Sequence, residues 1–253
     1  MTFCVAIKTK SGVVALADTQ ITSGSERRNK VKLTSIKGVS GTAFIMTSGL
    51  RSVRDKTVTY LNEEIESAEE TPTKMYKLVD LFCEKLRLVK EQDEASLKSS
   101  NLKFNLHTTI GGKLADDVDS QLFYIYPEGN WIESAADSPY FTSGQTSYGK
   151  PILDRLLTYE TDLESALSLA YLAFDATRAS VIDVDFPIDV LTCSKSGVTT
   201  SKRFESHELL EVRQSWTNKL ADALETLPKA WLGSILGSEA DQSRHEGQVL
   251  TSD

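Results

Sequence analysis

Three residues near the start of the chain could together cleave an amide bond: Thr2, Asp18 and Lys32. A threonine at a chain terminus carries a hydroxyl nucleophile and an α-amine on one residue, and a free α-amine titrates at about pH 8. That amine can take the hydroxyl proton without help from a histidine. The chemistry requires removal of Met1, which the small residue behind it favours.

The carboxylate and the ammonium group would set the electrostatics of that nucleophile. Asp18 directly follows the apolar run Val13–Ala17, and Lys32 begins the segment KLTSI. A lysine buried between Thr2 and Asp18 would lower the pKa of the hydroxyl and of the amine, while the carboxylate keeps it charged. Each residue also has an ordinary interpretation. Thr2 is then simply the second residue of the chain, Asp18 a carboxylate in a turn, and Lys32 a solvated surface lysine. Pattern alone leaves both interpretations open.

Composition excludes several other classes of protein. The 253-residue chain has a net charge of −8 with acids and bases interspersed, which argues against nucleic-acid or membrane-surface binding. Three widely spaced cysteines and three scattered histidines form neither a disulfide framework nor a metal motif. The apolar start is too short for a signal peptide, and no run is long enough to span a membrane. We therefore expect a cytoplasmic protein with reduced thiols and no metal or organic cofactor.

The elements that must position these residues follow from hydrophobic periodicity. Two β-prone runs, Phe3–Lys8 and Val13–Ala17, flank a polar tetrad ending in Gly12 and predict a hairpin that begins almost at the first residue. Further strands are predicted at 31–36, 42–47, 103–110, 121–126, 131–135, 140–142 and 188–193, and in a last run ending at 204. Helices are predicted at 50–67, 74–91, 148–159, 162–179 and 208–227, with a loop at 91–101.

The order of these elements predicts an α+β fold. Segregated runs of strands and helices favour sheets packed against helix layers over alternating βαβ units. A four-layer αββα sandwich, with helices outside two central sheets, fits this order. We expect one domain over residues 2–233, followed by a polar, flexible tail at residues 234–253.

Three segments resemble the β-type subunits of the proteasome and bacterial HslV. Residues 2–24 look like their mature start, with the threonine and the first aspartate at the family spacing: TFCVAIKTKSGVVALADTQITSG. Residues 32–36, KLTSI, resemble the strand that supplies the family's catalytic lysine. Residues 44–49, FIMTSG, resemble the strand whose final glycine amide forms the oxyanion hole.

The chain is more similar still to the Anbu family of bacterial proteasome-like proteins, named as the ancestral β subunit. The segments that carry this resemblance are SYGKPILDRLL at 147–157, FDATRAS at 174–180, FPIDVL at 186–191, and VRQSW with LADALETLP between 212 and 228. The similarity extends from about residue 2 to residue 231, nearly the whole chain. It implies the Ntn-hydrolase type of αββα sandwich, hydrolysis of peptide bonds, and assembly into a homo-oligomeric ring or spiral.

The resemblance also assigns roles to single residues. Thr2 is the nucleophile, Asp18 and Lys32 are its catalytic partners, and the amide of Gly49 donates to the oxyanion. Lys30 remains an alternative to Lys32, because the spacing from Asp18 is slightly shorter than in the proteasome.

The residues that hold the threonine amine in the proteasome are matched less closely. Its Arg-Asp-x-x-Ser-Gly segment falls on Ser180 and Asp183, so the hydroxyl and the carboxylate are exchanged. The other supporting serine corresponds to Ser143 or to Gly144.

The implied substrate is a peptide or an unfolded protein, and the sequence specifies no ATPase partner. Two other functions stay open: an Ntn amidase that acts on a small amide, and a weakly active structural subunit with the proteasome fold. The number of subunits distinguishes the small-amide amidase from a peptidase, because a self-compartmentalising protease needs many subunits and a small-amide hydrolase does not. The joint presence of Thr2, Asp18 and Lys32 argues against the second.

Overall fold

The structure is a computed structural model that describes residues 2–23 and 26–236. Its strands are β1 Phe3–Thr9, β2 Gly12–Asp18, β3 Gln20–Ser23, β4 Glu26–Asn29, β5 Leu33–Ile36, β6 Gly41–Gly49, β7 Leu106–Leu114, β8 Gln121–Ile125, β9 Trp131–Glu133, β10 Tyr140–Gly144, β11 Ile188–Ser194 and β12 Thr199–Phe204. Its α-helices are α1 Arg51–Ser67, α2 Met75–Ser99, α3 Lys150–Leu156, α4 Leu163–Ser180, α5 Leu210–Thr226 and α6 Gly233–Leu236.

Two antiparallel five-stranded sheets form the centre of the first compact unit, which ends at Glu208. Their strand orders are β10-β1-β2-β11-β12 and β5-β6-β7-β8-β9. Helix α4 packs on β1 and β2, with α3 beside it, while α2 packs on β7 and β8, with α1 beside it. The predicted α+β fold with αββα layers is confirmed.

Strand β1 is buried on both faces, which explains its unbroken apolar run. On one face, Phe3 packs against Phe174 of α4, with ring centroids 6.3 Å apart. On the other face, Cys4 and Ala6 join the core between the two sheets. The first residues of the chain are therefore held in the middle of the sandwich.

The prediction of a loop over residues 91–101 is wrong, because helix α2 continues to Ser99. Leu97 packs against the core between the helices and the sheet, so the apolar pattern does extend into the polar stretch. An ion pair between Lys56 and Asp93, 2.8 Å long, ties this part of α2 to α1.

The strand pattern also differs from the prediction in two places. The hairpin β3–β4 was not predicted, because its run from Gln20 to Asn29 is polar and lacks an apolar alternation. Strand β7 begins at Leu106 instead of residue 103 and continues through Gly111-Gly112 to Leu114, because its pairing with β6 extends that far.

The helix pair α3–α4 follows the prediction more closely. Asp162 caps α4 as expected, since its carboxylate accepts a hydrogen bond of 2.8 Å from the Ser165 N–H. Helix α3 is shorter than the predicted 148–159, because it begins at Lys150 and the backbone is already extended at Leu157.

A second compact unit begins at Leu209. Its main helix, α5, has no buried residue and exposes several apolar side chains: Leu210, Val212, Leu220 and Leu224. Residues 237–253, which contain most of the predicted tail at 234–253, lie outside the described residues.

Candidate active site

The carboxylate of Asp18 lies at the end of β2, beneath the start of β1. The hairpin register pairs Cys4 with Ala17 and thereby places Asp18 beside the first residues of the chain. Its Oδ1 atom accepts hydrogen bonds from the Phe3 backbone N–H at 2.7 Å and from the Lys32 ammonium at 2.8 Å. One oxygen atom thus links the backbone next to Thr2 to the lysine.

Lys32 directly precedes β5 and lies inside the protein. Its side chain is 7% exposed and that of Asp18 is 0% exposed, so both charges are screened from water. The Lys32 ammonium also donates to the backbone carbonyl of Gln20, at 2.7 Å. The lysine beside Asp18 is therefore Lys32. Lys30 contacts the Thr19 carbonyl through its backbone N–H, at 2.7 Å, and its side chain makes no hydrogen bond or ion pair within the described residues.

Burial and the neighbouring charge act in opposite directions on Asp18. Burial raises the pKa of the Asp18 carboxyl above its usual range, while Lys32 and the Phe3 N–H lower it. The second oxygen, Oδ2, is buried and has no hydrogen-bond partner within the described part of the chain. Lys32 is therefore the main group that keeps this carboxylate ionised.

Thr2 is half-buried and directly precedes β1. The Gln145 N–H donates to its backbone carbonyl at 2.7 Å, which fixes the peptide unit that follows the nucleophile candidate. Gly144 lies against the same carbonyl with a φ of +86°, and any side chain at that position would collide with Thr2. A glycine is therefore required where β10 meets Thr2.

The side chain of Ser143 points to a different neighbour. Ser143 pairs with Cys4 across the β1–β10 ladder and forms a side-chain hydrogen bond with the Cys4 thiol. Burial raises the pKa of that thiol to about 12, so it remains protonated at neutral pH. Of the two candidate supporting residues, Gly144 contacts Thr2 directly, while Ser143 contacts Cys4.

Gly49 ends β6, on the strand beside the lysine. The Thr47 N–H donates to the Lys32 carbonyl at 3.1 Å, so Gly49 lies two residues beyond a direct contact with Lys32. Its φ is +132°, and an added side chain would collide with the carbonyl oxygen of Asn105. Position 49 therefore requires glycine for two reasons: the positive φ of its backbone, and the close contact between that backbone and Asn105.

Ser180 and Asp183 are in or next to the last turn of α4. The Ser180 hydroxyl is exposed and donates back to the Ala176 carbonyl at 3.2 Å. Asp183 is half-buried in the turn that follows and, among the described residues, makes no side-chain hydrogen bond or ion pair. The neighbouring Ile182 carbonyl accepts from the Gln20 side chain at 3.2 Å, which brings this turn towards the lysine site.

Gln20 is a further residue of the site, which no motif in the sequence indicates. This buried residue contacts Lys32 through its backbone carbonyl and the α4 turn through its side chain. The available signal was a run of three polar residues, Asp18 to Gln20, directly after an apolar strand. All three are buried, which a solvated turn would not show.

Two negative findings apply to the described residues alone. They contain no cluster of three or more His, Cys, Asp or Glu side chains that could hold a metal ion. Every helix among them is too short or too polar to cross a lipid bilayer.

A four-layer αββα sandwich that holds its first residues in a central strand is the architecture of the Ntn-hydrolase class. The chain belongs to the proteasome family, since the family described as Proteasome subunit matches residues 2–192. Comparison with the curated proteins gives no match.

Several solved Anbu structures are similar to this chain over nearly their whole length. Anbu from Yersinia bercovieri is 29% identical, with a TM-score of 0.81, and the match covers 89% of this chain and 97% of that one. The helical assembly of the Anbu complex from Pseudomonas aeruginosa is 28% identical, with the same TM-score and coverages of 89% and 97%. Anbu from Hyphomicrobium sp. strain MC1 is 26% identical, with a TM-score of 0.80 and coverages of 90% and 99%. The resemblance to Anbu inferred from the sequence is confirmed.

Proposed function

We propose that this protein is a threonine-type endopeptidase whose nucleophile is Thr2 after removal of Met1. The observation that carries the proposal is the buried Lys32–Asp18 ion pair directly beneath the start of β1. Removing two charges from water costs free energy, and this ion pair is linked through Asp18 to the backbone N–H of Phe3, the residue that follows Thr2. A lysine charge at this position would tune the nucleophile.

The reaction is acyl transfer. The Thr2 hydroxyl oxygen attacks the peptide carbonyl carbon, and the Thr2 amine accepts the hydroxyl proton, directly or through a water molecule. The oxyanion that forms is stabilised by the Gly49 N–H, a contribution of about 3 kcal/mol in comparable sites. The C–N bond then breaks, the proton passes to the leaving amine, and water hydrolyses the Thr2 ester.

Lys32 and Asp18 set the protonation of the nucleophile in this scheme. The positive charge of Lys32 favours the deprotonated hydroxyl and amine, and Asp18 holds the lysine in place. Asp183 is the supporting group for the amine in this scheme, because its carboxylate makes no side-chain hydrogen bond or ion pair within the described residues. The other two supporting candidates, Ser143 and Ser180, bond instead to the Cys4 thiol and to the Ala176 carbonyl.

The substrate class is a peptide or an unfolded protein, and the working form is a homo-oligomer. The similar Anbu protein from Pseudomonas aeruginosa forms a helical assembly, which supports self-assembly of the present protein. The proposal places the protein in the cytoplasm, where its three free cysteines stay reduced.

Mass spectrometry of the intact, active protein tests the proposal. We expect Met1 to be absent, because an acylated nitrogen cannot act as a base, and a threonine-directed covalent inhibitor to add once per chain at Thr2. The Thr2→Ala variant is the control and should take up no inhibitor. An active preparation that retains Met1 would refute the mechanism.

Light scattering tests the assembly separately. We expect a species well above a dimer, and a stable monomer at micromolar concentration would contradict this part of the proposal.

A further inference from the structure

The segment Ser147–Leu157 has no role in the mechanism above, yet it contributes a compact polar cluster. The Tyr140 hydroxyl, at the start of β10, donates to the Asp154 carboxylate of α3. The Lys150 ammonium donates to the Tyr140 oxygen at 2.7 Å and to Asp154 at 3.2 Å. The same ammonium lies 5.1 Å from the centre of the Tyr140 ring. We call the side chains of Tyr140, Lys150 and Asp154 the latch.

The latch closes a loop of chain that touches Thr2. Between Tyr140 and Lys150 lie Gly144, whose backbone packs against the Thr2 carbonyl, and Gln145, whose N–H donates to that carbonyl at 2.7 Å. The β1–β10 register pairs Ile7 with Tyr140 at one end and residue 3 with Gly144 at the other. The latch and the nucleophile candidate therefore lie at opposite ends of one short ladder.

Strand β10 needs such an anchor, because it is an edge strand. Among the described strands, β1 is the one that pairs with it, through a ladder of five residue pairs, and β6 of the other sheet packs against it. An edge strand with a single partner is prone to fray or shift in register. The latch ties its first residue to α3, which packs on α4.

The charges of the latch match this role at neutral pH. The hydrogen bond from Tyr140 lowers the pKa of the Asp154 carboxyl, so the acceptor is ionised. Burial, followed by the bond to Asp154, raises the pKa of Tyr140, so the donor keeps its proton.

We infer that Tyr140, Lys150 and Asp154 are positioning residues that hold β10, and through Gly144 and Gln145 the Thr2 backbone, in the geometry for attack. The inference rests on the proposed function for its catalytic consequence. Its structural half, that the latch holds the Gln145–Thr2 contact, is independent of that function.

Three variants test the latch: Tyr140→Phe, Asp154→Asn and Lys150→Met. We expect kcat on a peptide substrate to fall about tenfold while KM changes less than about twofold, because misplacement of a nucleophile affects the chemical step. Lys150→Arg keeps the charge and should retain more activity than Lys150→Met. Asp55→Asn is the control: it removes an i,i+4 ion pair with Arg51 at 3.0 Å, together with a pair with Arg54 at 2.8 Å, and should leave kcat unchanged.

Hydrogen–deuterium exchange gives the readout that does not depend on activity. We expect faster exchange in the peptides covering residues 2–9 and 140–149 of Tyr140→Phe, and no change there in Asp55→Asn. Unchanged exchange with unchanged kcat would overturn the inference, as would a loss of activity explained fully by a lower melting temperature. If the wild type neither cleaves peptides nor takes up the inhibitor, the proposed function fails, and exchange still decides whether the latch holds the contact.

Discussion

The Lys32 ammonium and the Phe3 backbone N–H share one oxygen atom of Asp18, at 2.8 and 2.7 Å. Because all three groups are buried, neither the lysine nor the start of β1 can shift without breaking a hydrogen bond that water cannot replace. The ion pair is thus part of the fold as well as of the candidate site, and variants must be tested for both.

Lys32→Ala should reduce turnover about a hundredfold or more, because the hydroxyl and the amine lose the charge that tunes them. It should also lower the free energy of unfolding by about 3–5 kcal/mol, since the buried Asp18 loses its partner. Steady-state kinetics well below the melting temperature of the variant separate the two effects.

Lys30→Ala is the control for that experiment and should keep nearly full activity. Lys32→Arg should also be poor, because a planar guanidinium cannot replace a compact ammonium that donates to both Asp18 and Gln20. If Lys30→Ala loses hydrolysis while Lys32→Ala retains it, Lys30 and not Lys32 is the lysine that tunes the Thr2 nucleophile.

The stability deficit of Lys32→Ala should shrink as the pH falls. Burial raises the pKa of Asp18, and removing Lys32 removes the main opposing influence, so the pKa in the variant is raised further. An acid whose folded-state pKa is raised binds its proton more tightly when folded, so its contribution to stability declines as pH rises from about 4 through that pKa. Urea unfolding of both proteins across this range measures the difference.

The double variant Asp18→Asn/Lys32→Ala is the control for this pH dependence. It has no ionisable group at either position. The difference between its free energy of unfolding and that of the wild type should therefore not become smaller at low pH. A deficit in Lys32→Ala that stays constant with pH would show that Asp18 does not titrate there.

Much of the fold could be predicted from the sequence, because its central strands are buried on both faces. An uninterrupted apolar run such as β1 or β2 is visible without knowledge of its neighbours. The end of α2 and the polar hairpin β3–β4 were missed, because pairing with other elements decides them and local periodicity does not.

The candidate site was predictable in part for a similar reason. Asp18 stands out as a carboxylate directly after an apolar run. Lys32 is assigned only through the resemblance of KLTSI to the lysine-containing strand of the proteasome family, and the structure brings the two residues together. The Gln20 contact to Lys32 and the Gln145 contact to Thr2 use backbone atoms, which leave no mark on the sequence. The positions of Ser180 and Asp183 depend on the path of the backbone in the turn after α4. A comparison of sequence motifs does not specify that path.

Thiol reagents should leave the native protein unmodified and active. All three cysteines are buried, and burial raises the pKa of Cys4 to about 12 and of Cys83 to about 11, so the reactive thiolate is scarce. Intact mass after iodoacetamide treatment at pH of about 8 should show no adduct, while the unfolded chain takes up three. Alkylation of Cys4 in step with loss of activity would point to a cysteine nucleophile instead of Thr2.

Gly49→Ala should reduce both stability and turnover. The backbone at Gly49 has a φ of +132°, which side chains rarely tolerate, and the new methyl group would collide with the Asn105 carbonyl. The strand end must move to relieve the collision, and the Gly49 N–H moves with it. We expect turnover to fall about a hundredfold, as when an oxyanion donor is lost.

Gly197→Ala separates backbone strain from the collision at Gly49. Gly197 also has a positive φ, +86°, but an added methyl group there meets no atom within 4 Å. Its substitution should therefore lower the free energy of unfolding by about 1 kcal/mol, with no change in turnover. Thermal melting and peptide hydrolysis of both variants make the comparison. If Gly49→Ala loses no more activity than Gly197→Ala, the Gly49 amide does not stabilise the oxyanion.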